Sequence, residues 1–551
     1  MKFKIVVFLC SFLSLLSATA QVGNKKDVER PKLVIGLVVD QMRWDYLYRY
    51  YDRYTDGGFK RMLNEGFSAE NTYINYVPTV TAIGHSTIYT GSVPALHGIA
   101  GNDFYLKENG QSVYCTEDNT VQGVNNSNNA GKMSPRNLLT STITDELKLA
   151  TNFRSKVIGI SLKDRGAILP AGHFADAAYW YDETGEWISS TFYMQDLPKW
   201  VKDFNAKKLA QKYLKQNWNS LYPLETYVQS APEDVYEGRF KGEDNTSFPI
   251  NTAKLSETVG MGLLRSTPFG NTFTLDMARA AIENENLGSN PAGVTDFLAV
   301  SLSSTDYVGH QFAVNSAKVE DTYLRLDQDL ASFFQYLDKQ FGKGNYTVFL
   351  SADHGAAHNP QFFMDHKGDG GYFNSNAVLT DLNGLLEKEF GHAKLAYSLR
   401  NYQLHLDHAL IKEKQLDEEA IKKSAIKHLR RLDGVAFVAD MDDVASASIP
   451  SLLKERIING YNYKRSGDIQ VITEAQWFSG SPRATGTSHG TWNPYDSHIP
   501  LVFMGWGIKH GATNRATHMT DIAPTIAALL HIEEPNGNIG QAITEITDKK
   551  N

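Results

Sequence analysis

Two kinds of hydrophobic pattern alternate along the chain. Continuous, β-branched-rich runs occur at Lys32 to Val39 (KLVIGLVV), Lys156 to Ile160, Phe297 to Leu302, Thr347 to Leu350 and Pro500 to Met504, separated by longer stretches with helical spacing. Strands covered on both faces read as unbroken apolar runs, and their alternation with helices predicts an α/β fold, a layered domain with a mainly parallel sheet. After the runs at 32, 297 and 347 a polar cluster follows the carboxyl end at once: Asp40, then Ser303 to His310, then Asp353-His354. Open α/β sheets bind their ligands at that edge.

The texture changes in two places. Between about 375 and 470, a helical pattern (Ala377 to Glu389), an alternating strand (Leu395 to Leu406), a charged helix (Asp417 to Leu432) and strands at Val435 to Val438 and Ile469 to Ile472 predict a self-contained α/β insertion, a lid or cap. The stretch from about 170 to 260, with Trp180, Trp187, Trp200 and Trp218 but weak periodicity, reads as a second insertion over the core. Lys422, Lys423, Lys427, Arg430 and Arg431 share their helix with Glu418 and Glu419, so they read as a solvated face.

Met1 to Lys4 is basic, Ile5 to Leu16 is largely apolar and Ala18-Thr19-Ala20 supplies small residues, a pattern that predicts a signal peptide (1–20) cleaved after Ala20 and hence a periplasmic or secreted protein. The apolar part is too short to span a bilayer. Cys10 lacks the small residue just before it that a lipid-attachment box needs. Cleavage removes two lysines and no acid, moving the formal charge from −8 to −10, and leaves Cys115 without a disulfide partner. Cys115 reads as a small packed residue. The 551 residues, 42% hydrophobic and 21% charged, suffice for one large domain with insertions, here 21–551. With no polybasic block there is no nucleic-acid grip, and a monomer without membrane anchor is expected.

Three short words carry candidate chemistry: Asp306-Tyr-Val-Gly-His310, Asp353-His354-Gly355, and His489 in Ser-His-Gly-Thr. Asp and His four apart lie on one side of a helical turn and can reach one cation. Carboxylate and imidazole without Cys suit a hydrolytic zinc, and less specifically manganese or iron. In Val77-Pro-Thr-Val-Thr81, Pro78 and the hydroxyls after it look like a helix opening, where free amides attract an anion. A Thr hydroxyl there acts as a nucleophile only if a metal lowers its pKa.

VPTVTAIGHSTIYTGSVPALHGIAGN (77–102), STDYVGH (304–310), SADHGAAH (351–358) and His489 together resemble the alkaline phosphatase superfamily. More closely they are similar to its phosphate-irrepressible alkaline phosphatases (PafA type), exported monoesterases related to nucleotide pyrophosphatase/phosphodiesterases. KRSGDIQ (464–470) and YDSHIPLVFMGWGI (495–508) extend the likeness to about 31–545.

The resemblance implies an alkaline-phosphatase-like α/β/α sandwich and two Zn²⁺ per chain. Asp40, Asp353 and His354 would hold one zinc, which activates Thr81, the second hydroxyl of the Pro-Thr-x-Thr word. Asp306, His310 and His489 would hold the other, on the leaving-oxygen side. Asn102 would donate to a phosphoryl oxygen, and Lys163 and Arg165 would reach the non-bridging oxygens. A charge count supports that pair: the two cations offset Asp40, Asp306, Asp353 and a Thr81 alkoxide, so a monoester dianion still needs the two positive charges that Lys163 and Arg165 supply. Lys163 would also fill the place where other alkaline phosphatases keep magnesium, so no third metal is expected. These features imply a broad-specificity phosphate-monoester hydrolase with an alkaline optimum and a phosphothreonine intermediate. The alternative is a phosphodiesterase or nucleotide pyrophosphatase on the same zinc pair. A sulfatase does not fit, because Thr81 cannot become formylglycine and Cys115-Thr-Glu-Asp-Asn lacks the Cys-x-Pro-x-Arg pattern.

Overall fold

The computed structural model describes residues 28–231, 235–243 and 245–547. The leader read over residues 1–20, Cys10 included, lies outside them. Along the chain, β1 (Leu33–Val39) ends at Asp40 and α1 (Thr81–Thr90) begins at Thr81. The hairpin of β2 (Asp103–Leu106) and β3 (Gln111–Tyr114) follows Asn102. β4 (Val157–Ser161) leads into α2 (Asp164–Ala171), and β5 (Ala177–Tyr181) follows. β6 (Asp296–Leu302) leads into α3 (Ser304–Phe312). β7 (Tyr346–Ser351) stops just before Asp353, and β8 (Leu501–Gly505) closes the core set.

Apart from the hairpin of β2 and β3, which is a sheet of its own, these strands share a ten-stranded sheet in which β8, β7, β1, β6, β4 and β5 lie side by side. β7, β1, β6, β4 and β5 are mutually parallel, whereas β8 runs antiparallel to β7. All residues of β1 and β6 are buried, which is why both read as unbroken apolar runs. Strands running in one direction end at one edge, and that brings Asp40, Lys163, Ser303 and Asp353 together. α1 is buried on every side and packs tightly under this edge. A Cβ on Gly84 would lie 2.3 Å from the Asp353 carbonyl oxygen, so only glycine allows the approach.

Residues 375–473 build a separate antiparallel sheet with helices Ser375–Phe390 and Glu418–Leu429 on it. Leu382, Leu404, Ile421 and Ile469 belong to its own apolar core. The strand predicted over Leu395 to Leu406 is a hairpin, Ala396–Arg400 and Gln403–Leu406, turned at Asn401 (φ 54°) and Tyr402 (φ 60°). Asn tolerates this left-handed conformation, and the buried Tyr402 hydroxyl accepts from the Ser479 amide at 2.8 Å. The stretch from 170 to 260 divides. Its β5 and Trp187–Ser190 extend the main sheet, and Trp187 and Trp218 belong to the main apolar core, Trp187 stacked on Phe273 at 5.1 Å between ring centroids. Among the described residues no helix is long and apolar enough to cross a membrane.

Candidate active site

The sheet edge gathers three carboxylates and three imidazoles. Asp306 and His310 sit one turn apart on α3, with His310 Nε2 3.1 Å from Asp306 Oδ1, as their spacing predicts. His489 Nε2 is 3.7 Å from the same oxygen. His354 Nε2 lies 3.6 Å from Asp40 Oδ1 and 3.4 Å from Asp353 Oδ2. In each imidazole Nδ1 faces a backbone carbonyl: His310 that of Thr487 at 2.8 Å, His489 that of Thr79 at 2.7 Å, His354 that of Gly355 at 2.9 Å. A carbonyl can only accept, so Nδ1 carries the proton and all three Nε2 atoms are turned to the carboxylates, the orientation of metal-ligating histidines.

Donor groups reach within 4.8 Å of one another in two sets, Asp306 with His310 and His489, and Asp40 with Asp306 and His354. Asp353 Oδ2 adjoins the second set through His354. Asp40 Oδ1 and Asp353 Oδ2 are buried and have no hydrogen-bond partner. Burial pushes the Asp353 carboxyl well above its usual range, and the neighbouring Asp40 adds to this. Burial lowers His354, and it depresses His489 further beside His354 and His310. At Asp306 burial is outweighed by His310 and Lys163, so that carboxyl is held well below its usual range. Orphaned carboxylate oxygens facing bare imidazole nitrogens repel unless a cation lies between them. The residues present therefore fit oxygen- and nitrogen-liganded divalent metal.

Around this cluster stand the other predicted residues. Thr81 opens α1, and its Oγ1 lies 3.4 Å from His354 Nε2. The Thr79 hydroxyl is engaged elsewhere, donating to the Thr491 carbonyl at 2.8 Å and accepting from the Gly490 amide at 3.2 Å. Asn102 Oδ1 accepts from the Ala82 amide at 2.9 Å, which turns its NH₂ away from the helix end. Lys163 Nζ donates to Asp40 Oδ2 at 2.7 Å and to Asp306 Oδ2 at 2.6 Å, and these carboxylates overcome the effect of burial and keep it charged. Arg165 stands in the first turn of α2, with Nη1 3.0 Å from the Tyr114 hydroxyl. Cys115 is buried and unpaired.

Some contributors were not singled out by the sequence. Gln41 holds Asp306 through Nε2 (2.7 Å) and Asp353 through its backbone amide (3.1 Å). It adopts φ 65°, and a Cβ on Gly309 would lie 1.9 Å from its Oε1. The glycine of Asp-Tyr-Val-Gly-His thus makes room for Gln41. His85, one turn after Thr81, lies 3.4 Å from Asp353 Oδ2 and 2.8 Å from the Ser301 hydroxyl. Its i, i+4 spacing from Thr81 was the signal available. A cleft of about 790 Å³ opens over the cluster, with Asn102, His310 and His489 on one wall and Tyr397, Arg400 and Asn401 of the 375–473 unit on the other.

A mainly parallel sheet ending in this cluster places the chain in a known class: it belongs to the type I phosphodiesterase / nucleotide pyrophosphatase family, whose pattern matches residues 34–496. That family lies in the alkaline phosphatase superfamily, and the chain is an enzyme of its PafA type. Alkaline phosphatase PafA of Elizabethkingia meningoseptica is 52% identical over 97% of this chain and 98% of its own. The crystal structure of wild-type PafA superposes with a TM-score of 0.92, covering 95% of this chain and all of that one. A Myroides odoratus protein described as a calcium-transporting ATPase is 62% identical over the full length of both chains.

Proposed function

We propose that the chain is an exported, zinc-dependent alkaline phosphatase that hydrolyses phosphate monoesters through a phosphothreonine at Thr81. The observation that carries this reading is the conjunction of Thr81 at the mouth of α1 with a cation-shaped cluster and an adjacent Lys163–Arg165 pair. Asp40, Asp353 and His354 would hold one Zn²⁺, and Asp306, His310 and His489 the other. When bound, such a pair lowers the pKa of a hydroxyl and stabilises charge on a leaving oxygen.

The chain's own residues do the rest. Thr81 Oγ1 forms the bond to phosphorus as the ester P–O bond breaks, and the hydroxyl proton ends on the departing alcohol. Water then cleaves the Oγ1–P bond, releasing inorganic phosphate and restoring the hydroxyl. Asn102 Nδ2 and the Arg165 fork would receive phosphoryl oxygens, while Lys163 holds its ammonium fixed between two carboxylates. This is catalysis mainly by positioning and electrostatics, as expected for phosphoryl transfer. The cleft over the cluster is open and no motif addresses a particular alcohol, which favours broad specificity. Removal of the terminal phosphoryl group of ATP falls under the same chemistry, and this accommodates the ATPase description of the Myroides odoratus relative. Export rests on the Met1 to Ala20 pattern.

Turnover of a nitrophenyl phosphate against its methyl diester tests the substrate class. The monoester is the faster substrate on this account. A faster diester assigns the chain to the phosphodiesterase alternative.

A further inference from the structure

Arg165 is held in an unusual way. Its neighbour Asp164 carries the adjacent carboxylate, yet that group is engaged by two hydroxyls, Tyr114 OH at 2.8 Å on Oδ1 and Thr116 Oγ1 at 2.5 Å on Oδ2. Because the Tyr114 proton points to Asp164, the phenol oxygen presents a lone pair to Arg165 Nη1, 3.0 Å away. The guanidinium is thus tethered by a neutral oxygen, and its Nε is buried without a partner. An arginine already forked onto a carboxylate would have to break two charge-assisted bonds to receive a phosphoryl group. A phenol tether fixes the side chain and leaves the fork available.

The tether is tied to the rest of the site. Tyr114 ends β3, where it pairs with Asp103, the first residue of β2, and the Cys115 amide donates to the Asn102 carbonyl at 2.8 Å. Asn102 and Arg165 therefore take their separation from one two-stranded ladder. We propose that Tyr114, oriented by Asp164 and Thr116, is a positioning residue that holds Arg165 in its phosphate-receiving pose. This rests on the monoesterase reading above.

Tyr114→Phe removes only the hydroxyl. Its expected effect is a roughly tenfold loss in kcat/KM for an aryl phosphate and a comparable weakening of competitive inhibition by inorganic phosphate, with diester turnover unchanged within about twofold, the size expected for one hydrogen bond to a charged group. In an Arg165→Ala background the same change should add nothing, since Tyr114 acts through Arg165. Asp164→Asn, which disturbs the same hydroxyl from its other side, should repeat the pattern. Equal losses on monoester and diester in both single variants, or an undiminished loss in the Arg165→Ala background, would overturn the proposal. A wild-type protein without monoesterase activity would instead sink the reading beneath it.

Discussion

Thr79 and Thr81 stand two residues apart with the same side chain and opposite surroundings. One hydroxyl is bonded to Thr491 and Gly490; the other faces His354 at the cluster. Thr81→Ala should abolish phosphoenzyme formation and lower kcat by about 10³-fold or more, as removal of a nucleophile does. Near-normal turnover in that variant, measured with an aryl phosphate, would move the role to Thr79. Replacing Lys163 and Arg165 together by Ala should slow monoesters about 10²-fold more than diesters, because only the monoester brings the second negative charge they answer. Equal losses in the paired kinetics would contradict the charge-matching argument. That Asp40, Asp306, His310, Asp353 and His354 gather at one edge was legible because Asp and His recur at strand ends and at helical spacing, whereas His489 stands alone in the sequence. Gln41 was not: its left-handed backbone and its reach to Asp306 come from packing against Gly309, which no local pattern encodes.

At the level of elements, α1 depends on Gly84. Gly84→Ala would force a methyl into the Asp353 carbonyl and push the helix off the strand edge, an overpacking cost of about 1–3 kcal/mol readable as a lower urea midpoint. An unchanged midpoint would show that the helix can shift freely. The 375–473 unit is pinned by Asp468, which receives His408 Nε2 at 3.0 Å and Lys107 Nζ, from just beyond β2, at 2.8 Å. The bond to Asp468 raises His408 to about 9, while His408 and Lys107, working against burial, lower Asp468 to about 2. A raised histidine stabilises the fold fully below its unfolded value near 6.5, and that contribution is lost as pH rises through about 9. The depressed Asp468 contributes above about 3.8, and its contribution is lost as pH falls towards 2. Thermal melts should therefore show stability falling between pH 7 and 10, and Asp468→Asn should flatten that slope. Parallel slopes in the two proteins would remove the pair from the account. Here sequence patterns located the helices and strands but missed what tertiary contacts decide. Apolar alternation ran straight through Asn401-Tyr402, hiding the turn, and the apolar run at β8 carried no mark of its antiparallel direction.

For the whole molecule, the net charge of −8, or −10 if residues 1–20 are removed, works against anionic substrates at a distance, so attraction for phosphate has to be local. Lys163, Arg165 and the two sets of carboxylate and imidazole donors lie at one sheet edge. That concentration follows from topology: parallel strands deliver their polar ends to one place, and the order of motifs along 551 residues makes sense only once folded. The central claim is that this edge works as a two-metal phosphomonoesterase. Metal analysis of purified protein, coupled to phosphate release from an aryl phosphate before and after chelation, tests it directly. The account predicts about two zinc ions per chain, with release abolished by chelator and restored by zinc. Turnover that persists undiminished in metal-free protein would contradict it.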